Sequence, residues 1–145
     1  MIKLGKGYNE ITPGEQFSDA VTVTDAHIGL MAELTGDFHP LHVDEEYAKT
    51  TRFGGRIAHG MSTSALMGGA VGKYFHSTGI AYLEHNCRFI EAVRPGDTLT
   101  TTWTLTAKID KPKHNGGIVV LAGNSKNQNG MVVAEATAKL LVLNA

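Results

Sequence analysis

An uncharged stretch in the middle of the chain places the strongest limit on the fold. No Asp, Glu, Lys or Arg occurs between Arg56 and Lys73. The small and apolar residues of this stretch predict a buried helix that starts near Gly60 and ends at Tyr74, although each of its glycines costs about 1 kcal/mol relative to alanine. A helix with so little polar surface has to be covered by another large element.

The second half of the chain supplies that partner, because its pattern changes to strands after Gly79. The Arg94–Asp97 and Asn127–Gly130 segments predict turns between strands, and Asn-Gly is a strong hairpin signal. The predicted strands cover residues 80–91, 98–108, 117–124 and 132–142. The third of these strands is mostly apolar and suits the centre of a sheet. Strands joined by short turns form an antiparallel sheet.

The first half of the chain predicts one strand followed by helices. The strand covers residues 17–24, and Thr24 is expected to cap the N-terminus of the next helix. Gly36 is expected to end that helix. The apolar stripe of this helix is predicted to contain Ile28, Met31, Ala32 and Leu34. A second, short helix is predicted over residues 44–49, followed by a loop over residues 50–55.

These elements predict an α+β domain in which an antiparallel sheet curves over a central helix. The chain has 145 residues, which is an ordinary size for one domain, so a single domain over residues 1–145 is expected. Its net charge of -1 and its few aromatic residues give no reason to expect a nucleic acid or an anionic membrane as a partner.

Cysteine content and the N-terminal residues bear on the compartment. Cys87 is the only cysteine, so an intrachain disulfide is impossible, and we interpret its side chain as a buried bystander. Residues 1–7 lack the apolar run of a signal peptide, and no stretch is apolar enough to span a bilayer. A cytoplasmic protein is therefore expected.

A short loop holds the residues that are best suited to chemistry. Two carboxylates and two imidazoles lie within eight residues, at Asp37, His39, His42 and Asp44. Pro40 cannot continue a helix, which predicts a rigid loop rather than a helix face. Rigid loops often carry catalytic acids and bases. From the residues alone, Asp37 is equally a turn residue, and a lone histidine is more often structural.

The same four side chains also suit zinc. Their spacing around Pro40 does not match a familiar zinc site, so no metal and no cofactor are expected. Asp44 is instead expected to cap the short helix that follows it.

Three segments together resemble the MaoC-like (R)-specific enoyl-CoA hydratases and dehydratases. They are Gly36–Asp44, Ile57–Met61 and Arg94–Thr98, in the order and spacing of that family. The resemblance covers nearly the whole chain. It implies the hot dog fold, in which an antiparallel sheet wraps around a long central helix. It also implies a homodimer or higher homo-oligomer in which two sheets join.

The resemblance implies a hydro-lyase that acts on an acyl-CoA thioester. Asp37 and His42 would be the catalytic pair that holds one water, and syn addition would give the (3R)-hydroxyacyl product. The backbone N–H of Gly60 would bind the thioester oxygen. His39 and His59 would support the loop, His59 by a hydrogen bond rather than by chemistry.

Two positions depart from the family pattern. His39 stands where many members have Asn, and Gly68 stands where hydratases can carry a serine that supports the catalytic loop. Ser62 and Ser64 are close to Gly68 but not at that spacing. The basic residues that could meet the CoA phosphates are Arg52, Arg56, Lys73 and Arg88.

Two other functions remain open at this point. An acyl-CoA thioesterase of the same fold would need its water aimed at the carbonyl carbon, and the spacing from Asp37 to His42 argues against that geometry. A non-catalytic subunit that binds acyl thioesters is the other alternative, and in that protein Asp37 would be dispensable.

Overall fold

The computed structural model describes residues 5–145, so Met1–Leu4 of the N-terminal segment lie outside the described residues. The strands are β1 Gln16–Thr22, β2 Gly79–Phe89, β3 Thr98–Lys111, β4 Gly116–Lys126 and β5 Val132–Leu143. The helices are α1 Asp25–Thr35, α2 Pro40–Val43, α3 Glu45–Lys49 and α4 Gly60–Tyr74. Within the described range, no helix has the length and apolar character needed to cross a membrane.

The five strands form one antiparallel sheet in the order β1-β3-β4-β5-β2. The α+β class and the hot dog arrangement of sheet and central helix are confirmed. The strand predicted as central, β4, lies in the middle of the sheet. The strands β1 and β2 form the two edges of the sheet. Several apolar side chains of β2 are exposed, including that of Phe89.

The sheet covers α4, the helix predicted to be buried. Met67 and Val71 of α4 are fully buried in the main core with Trp103, Val119 and Leu121 of the sheet. The Trp103 indole donates its N–H to the carbonyl oxygen of Met67 at 3.0 Å. Both groups are buried, so losing this hydrogen bond would leave them unpaired at a cost in free energy. The bond therefore helps to fix the position of α4 on the sheet.

The two ends of α1 follow their predicted signals. Thr24 accepts a hydrogen bond from the His27 amide at 3.2 Å and caps the helix. Gly36 adopts φ 75°, the left-handed conformation that suits glycine, and its amide donates to the Ala32 carbonyl. The predicted apolar stripe is wrong at Leu34, which is 82% exposed. Leu34 follows the buried Ile28 by six residues, about 240° around the helix, so it faces away from the core.

Gly29 in the middle of α1 is free to gain a side chain. Apart from the adjacent residues and the neighbouring backbone of α1, no atom of residues 5–145 lies within 4 Å of a Cβ added there. We expect Gly29→Ala to stabilise the protein by about 0.5–1 kcal/mol, because glycine loses more backbone entropy than alanine when a helix forms. Urea unfolding followed by far-UV circular dichroism measures the change, and a lower midpoint would contradict it.

Candidate active site

The carboxylate–imidazole loop contains a helical turn that the sequence analysis did not predict. Residues 36–39 are a loop, and α2 then begins at Pro40. The prediction of a rigid loop throughout is wrong there, because a proline at the first helical position has the right φ and needs no N–H partner. His39 precedes this turn and accepts a hydrogen bond from the Leu41 amide through Nδ1 at 3.1 Å. An asparagine could make the same capping bond.

A helix cap and two ion pairs hold the segment that follows α2. Asp44 accepts a hydrogen bond from the Tyr47 amide at 3.0 Å, so it caps α3. Arg56 bonds to Asp25 at 2.6 Å and to Glu45 at 3.1 Å, which links the start of α1 to α3. The hydrogen bond to Asp25 in particular raises the pKa of the Arg56 guanidinium. The two ion pairs of Arg56 therefore connect α1 and α3, the helices on either side of the loop.

His42 points one ring nitrogen at the backbone and the other at Asp37. Its Nδ1 lies 2.8 Å from the carbonyl oxygen of Ile57. A carbonyl oxygen only accepts hydrogen bonds, so Nδ1 carries the hydrogen and the neutral ring has its lone pair on Nε2. The Nε2 atom lies 3.9 Å from Oδ2 of Asp37. The His42 side chain is 13% exposed, whereas that of Asp37 is 52% exposed, so the pair opens to solvent on the carboxylate side.

His59 is a buried residue that packs against the His42 ring of this pair. It is 4% exposed, and its Nε2 donates to the main-chain carbonyl oxygen of Asp37 at 2.9 Å. Its ring stacks on that of His42, with the ring centroids 3.9 Å apart. The Asp37 amide also donates to the Thr35 hydroxyl at 3.2 Å. These contacts hold the backbone of Asp37 and the plane of the His42 ring in place.

The trio Asp37, His42 and His59 offers ligand atoms that lie within 4.8 Å of one another. This set differs from the one considered from the sequence, because the His39 and Asp44 side chains both cap helices. Tetrahedral zinc with bonds near 2.05 Å would need its ligand atoms about 3.4 Å apart and aimed at one point. Two stacked rings do not aim their nitrogens in that way. The geometry of the trio therefore differs from that of a tetrahedral zinc site.

Gly60 is the first residue of α4 and follows His59 directly, which places it beside the pair. Its amide N–H has no acceptor within the helix, and the positive end of the helix dipole lies there. The Phe89 ring covers Gly60 closely, since an added Cβ would lie 3.4 Å from three ring atoms. Phe89 did not stand out in the sequence, where its place in a predicted strand was its only signal. A cavity of about 310 Å³ borders Gly60, Phe89 and Arg52.

The serines of α4 do not support the loop in this chain. Within residues 5–145, the Ser64 hydroxyl bonds to Nε2 of His85 at 2.7 Å, and the buried Ser62 hydroxyl has no hydrogen-bond partner. Gly68 faces the Tyr82 ring, 3.9 Å from where its Cβ would lie. The loop is held by His59 instead.

Three of the four basic residues considered for CoA phosphates are paired. Arg56 bonds to Asp25 and Glu45, Lys73 to Asp19 at 2.6 Å, and Arg88 to Glu135 at 3.1 Å. Arg52 has no ionic partner in the described part of the chain, and its guanidinium lies 4.9 Å from the centroid of the Phe53 ring. It also borders the cavity next to Gly60. Arg52 is therefore the basic residue best placed to meet an anionic ligand.

Comparisons with known proteins agree with this geometry. Residues 9–127 match the family model described as MaoC like domain. An (R)-specific enoyl-CoA hydratase from Rhodospirillum rubrum is 34% identical over 135 residues, which is 93% of this chain and 90% of that protein. The (R)-specific enoyl-CoA hydratase of Aeromonas caviae is 36% identical over 118 residues, 79% of this chain and 84% of that protein.

A solved structure shows the same fold. The unliganded R-hydratase PhaJ1 from Pseudomonas aeruginosa superposes with a TM-score of 0.88 at 29% identity. The match covers 97% of this chain and 88% of that structure.

Proposed function

Since the chain belongs to the family of MaoC-like domains and is a hydro-lyase by that membership, we propose that residues 1–145 form one catalytic domain. Its reaction would be the reversible addition of water to a trans-2-enoyl-CoA, with the (3R)-hydroxyacyl-CoA as product. The observation that carries this proposal is the gap of 3.9 Å between Nε2 of His42 and Oδ2 of Asp37. A single water to one side of the line between these atoms can lie about 2.8 Å from each and bond to both, as hydration requires.

The pair has the chemistry to activate that water. The Nε2 lone pair of His42 and the Asp37 carboxylate both accept hydrogen bonds from it. The pair takes a proton from the water as its oxygen adds to C3, and returns a proton to C2. Both transfers occur on the side of the enoyl plane that faces the pair, so the addition is syn. Asp37 also stabilises the charged form of His42 while it holds a proton.

The developing negative charge on the thioester oxygen needs a donor. The Gly60 N–H at the start of α4 is unused by the helix and lies at the positive end of its dipole. Gly60 has no side chain to separate its N–H from the adjacent cavity, which Phe89 and Arg52 also border. In this role Gly60 would make the enolate-like intermediate less costly, while Asp37 and His42 supply the proton transfers.

The test of this function is a hydration assay with crotonyl-CoA. We expect loss of the enoyl-thioester absorbance band and formation of (3R)-hydroxybutyryl-CoA, identified by chiral chromatography, without free CoA. Release of free CoA would support a thioesterase instead. No reaction with crotonyl-CoA or with longer or branched enoyl-CoAs would support a subunit that binds acyl thioesters without catalysis.

Arg52 is expected to recognise the CoA portion of the substrate. Replacing it by Ala should raise KM for crotonyl-CoA about fivefold to tenfold, as expected for loss of one exposed phosphate contact, and leave kcat unchanged. Crotonyl-pantetheine lacks the nucleotide phosphates, so its KM should not change. Arg88→Ala is the matched control, because the Arg88 guanidinium is bound to Glu135. An unchanged KM for crotonyl-CoA in Arg52→Ala would remove Arg52 from the site.

We expect the protein to form a homodimer through the edge strand β2. Side chains of Ile80, Leu83 and Phe89 on this strand are about half exposed, and an unpaired apolar edge favours association. Sedimentation equilibrium measures the mass. A value equal to the 15.5 kDa monomer at micromolar concentration would contradict the dimer.

A further inference from the structure

His39 connects the two side chains that are proposed to hold the water. Its main-chain N–H donates to Oδ1 of Asp37 at 3.1 Å, and its ring Nδ1 accepts a hydrogen bond from the Leu41 amide at 3.1 Å. Leu41 directly precedes His42 in α2. His39 therefore bonds to the carboxylate on one side and caps the helical turn that carries His42 on the other.

The cap on α2 has no substitute within residues 5–145. Pro40 at the first helical position has no N–H, and the His42 amide bonds to the carbonyl oxygen of His39 at 2.9 Å. The His39 ring is thus the only partner of the Leu41 amide in this range. A turn of four residues is too short to be stable by itself, so the bonds at its ends decide whether it keeps its shape.

This cap requires the neutral form of His39. An amide N–H bonds to a lone pair, so Nδ1 carries the lone pair and Nε2 carries the hydrogen. A protonated imidazole has a hydrogen on both nitrogens and accepts no hydrogen bond. Protonation therefore turns Nδ1 into a donor that faces the Leu41 amide, and the cap is lost. Since His39 is exposed, solvent can protonate its ring directly.

Histidine is the side chain whose charge ordinarily changes between about pH 5 and pH 8. An asparagine would cap the turn through an oxygen that does not titrate in this range. The choice of histidine as the capping residue therefore introduces a response to pH that an asparagine cap would lack.

We propose that His39 is a positioning residue that makes the rate of hydration depend on pH, because only its neutral ring caps α2 and holds His42 in place. This inference rests on the hydratase function proposed above. Once the cap is lost, α2 can move relative to Asp37. The distance of 3.9 Å between Nε2 of His42 and Oδ2 of Asp37, which suits one bridging water, is then no longer fixed.

Three titratable side chains lie next to His39 in the described part of the chain. They are Asp37 in the preceding loop, His42 of α2 with its ring centroid 6.1 Å away, and Tyr47 of α3 with its ring centroid 6.2 Å away. His42 also loses its lone pair when it is protonated, so a slower wild-type reaction in acid would not by itself identify His39. The ratio of the wild-type rate to that of a variant at position 39 removes this shared effect, because both proteins contain the same three groups.

The test measures kcat for crotonyl-CoA hydration by the wild type, His39→Asn and His39→Ala. At about pH 8, His39→Asn should be about threefold to fivefold faster than His39→Ala, since only asparagine can replace the cap. Between about pH 8 and pH 5.5, the ratio of the wild-type kcat to the His39→Asn kcat should fall about threefold. Over the same range the wild type should approach His39→Ala. A ratio of wild type to His39→Asn that stays constant with pH would overturn the proposal.

His27→Asn is the matched control. The Nδ1 atom of His27 accepts a hydrogen bond from the Thr24 amide at 3.2 Å at the start of α1, and His27 is also exposed. The same substitution thus replaces a second histidine that makes the same kind of bond, in a helix that does not carry His42. The ratio of the wild-type kcat to the His27→Asn kcat should not change with pH. A change as large as that for His39→Asn would overturn the specific role of His39.

Nuclear magnetic resonance separates this proposal from the proposed reaction, because it needs no turnover. In a nitrogen–proton correlation spectrum of the wild type, the Leu41 amide proton should move upfield on acidification as its bond to Nδ1 of His39 is lost. In His39→Asn it should keep its position. If no enoyl-CoA is hydrated, the proposed function fails, and the Leu41 signal still tests the cap. A Leu41 signal that moves equally in both proteins, or in neither, would overturn the role of His39.

Discussion

Asp37→Asn is expected to lower kcat for crotonyl-CoA hydration by about 10³-fold, within the range found for loss of a catalytic acid or base. The change keeps the shape of the side chain, and an amide oxygen can still accept the His39 amide that bonds to Oδ1 at 3.1 Å. At the Oδ2 position, however, a carboxylate oxygen becomes an NH₂ donor. It can no longer accept a hydrogen from the bridging water. The rate is measured from the enoyl-thioester absorbance under saturating substrate.

Asp44→Asn is the matched control for this variant. Asp44 lies in the same segment and caps α3 through a bond from the Tyr47 amide, and asparagine caps helices equally well. Its turnover should stay close to that of the wild type. If Asp37→Asn kept the wild-type kcat while Asp44→Asn lost activity, the assignment of the catalytic carboxylate would be wrong.

Gly123→Ala is expected to lower the free energy of unfolding by about 3 kcal/mol, the upper part of the range for inserting a methyl group into a packed core. The added Cβ would lie 2.5 Å from Cε3 of Trp103 and 2.9 Å from the Thr102 carbonyl oxygen. Trp103 is fully buried and cannot shift without losing its bond to the Met67 carbonyl. The overlap therefore disturbs both β4 and the hydrogen bond from Trp103 that joins α4 to the sheet. Urea unfolding followed by far-UV circular dichroism gives the change, and the same readout serves variants at Trp103.

Two further variants test the cause of that effect. Gly29→Ala makes the same substitution at a position where the described residues outside the local α1 backbone leave the added Cβ free of contacts, and it should stabilise the protein. Combining Gly123→Ala with Trp103→Phe removes part of the clashing ring, so the double variant should lose less stability than the sum of the single variants. Additive losses would show that the contact with Trp103 is not responsible.

Local signals in the sequence predicted most of the secondary structure correctly. The cap at Thr24 and the stop at Gly36 depend on neighbouring residues, and both are seen. The buried helix ending at Tyr74 follows from an uncharged run, and the hairpin at 127–130 from its turn residues. Errors came where two local rules compete. A proline cannot continue a helix, which predicts a loop at Pro40, whereas in the structure Pro40 is the first residue of a helix.

Within the candidate site, the sequence singled out Asp37, His42 and Gly60, but their roles came from a family resemblance and remain proposals. The residue types of the loop alone left a structural reading equally open. The sequence also could not distinguish between the four basic residues. Pairing partners such as Asp25 for Arg56 and Glu135 for Arg88 come from other elements. The lack of an ionic partner for Arg52 among residues 5–145 is therefore visible only in the fold.

The sequence by itself therefore determined the order of the elements, the burial of the central helix and the loop that carries the polar residues, because hydrophobic period, caps and turn residues act over a few positions. Only the tertiary structure brought His59 under Asp37, 22 residues away, and placed His85 against Ser64, 21 residues away. Such contacts depend on how α4 packs against the sheet and on a register shift in β2. Packing and register are properties of the whole fold, and no local pattern encodes them.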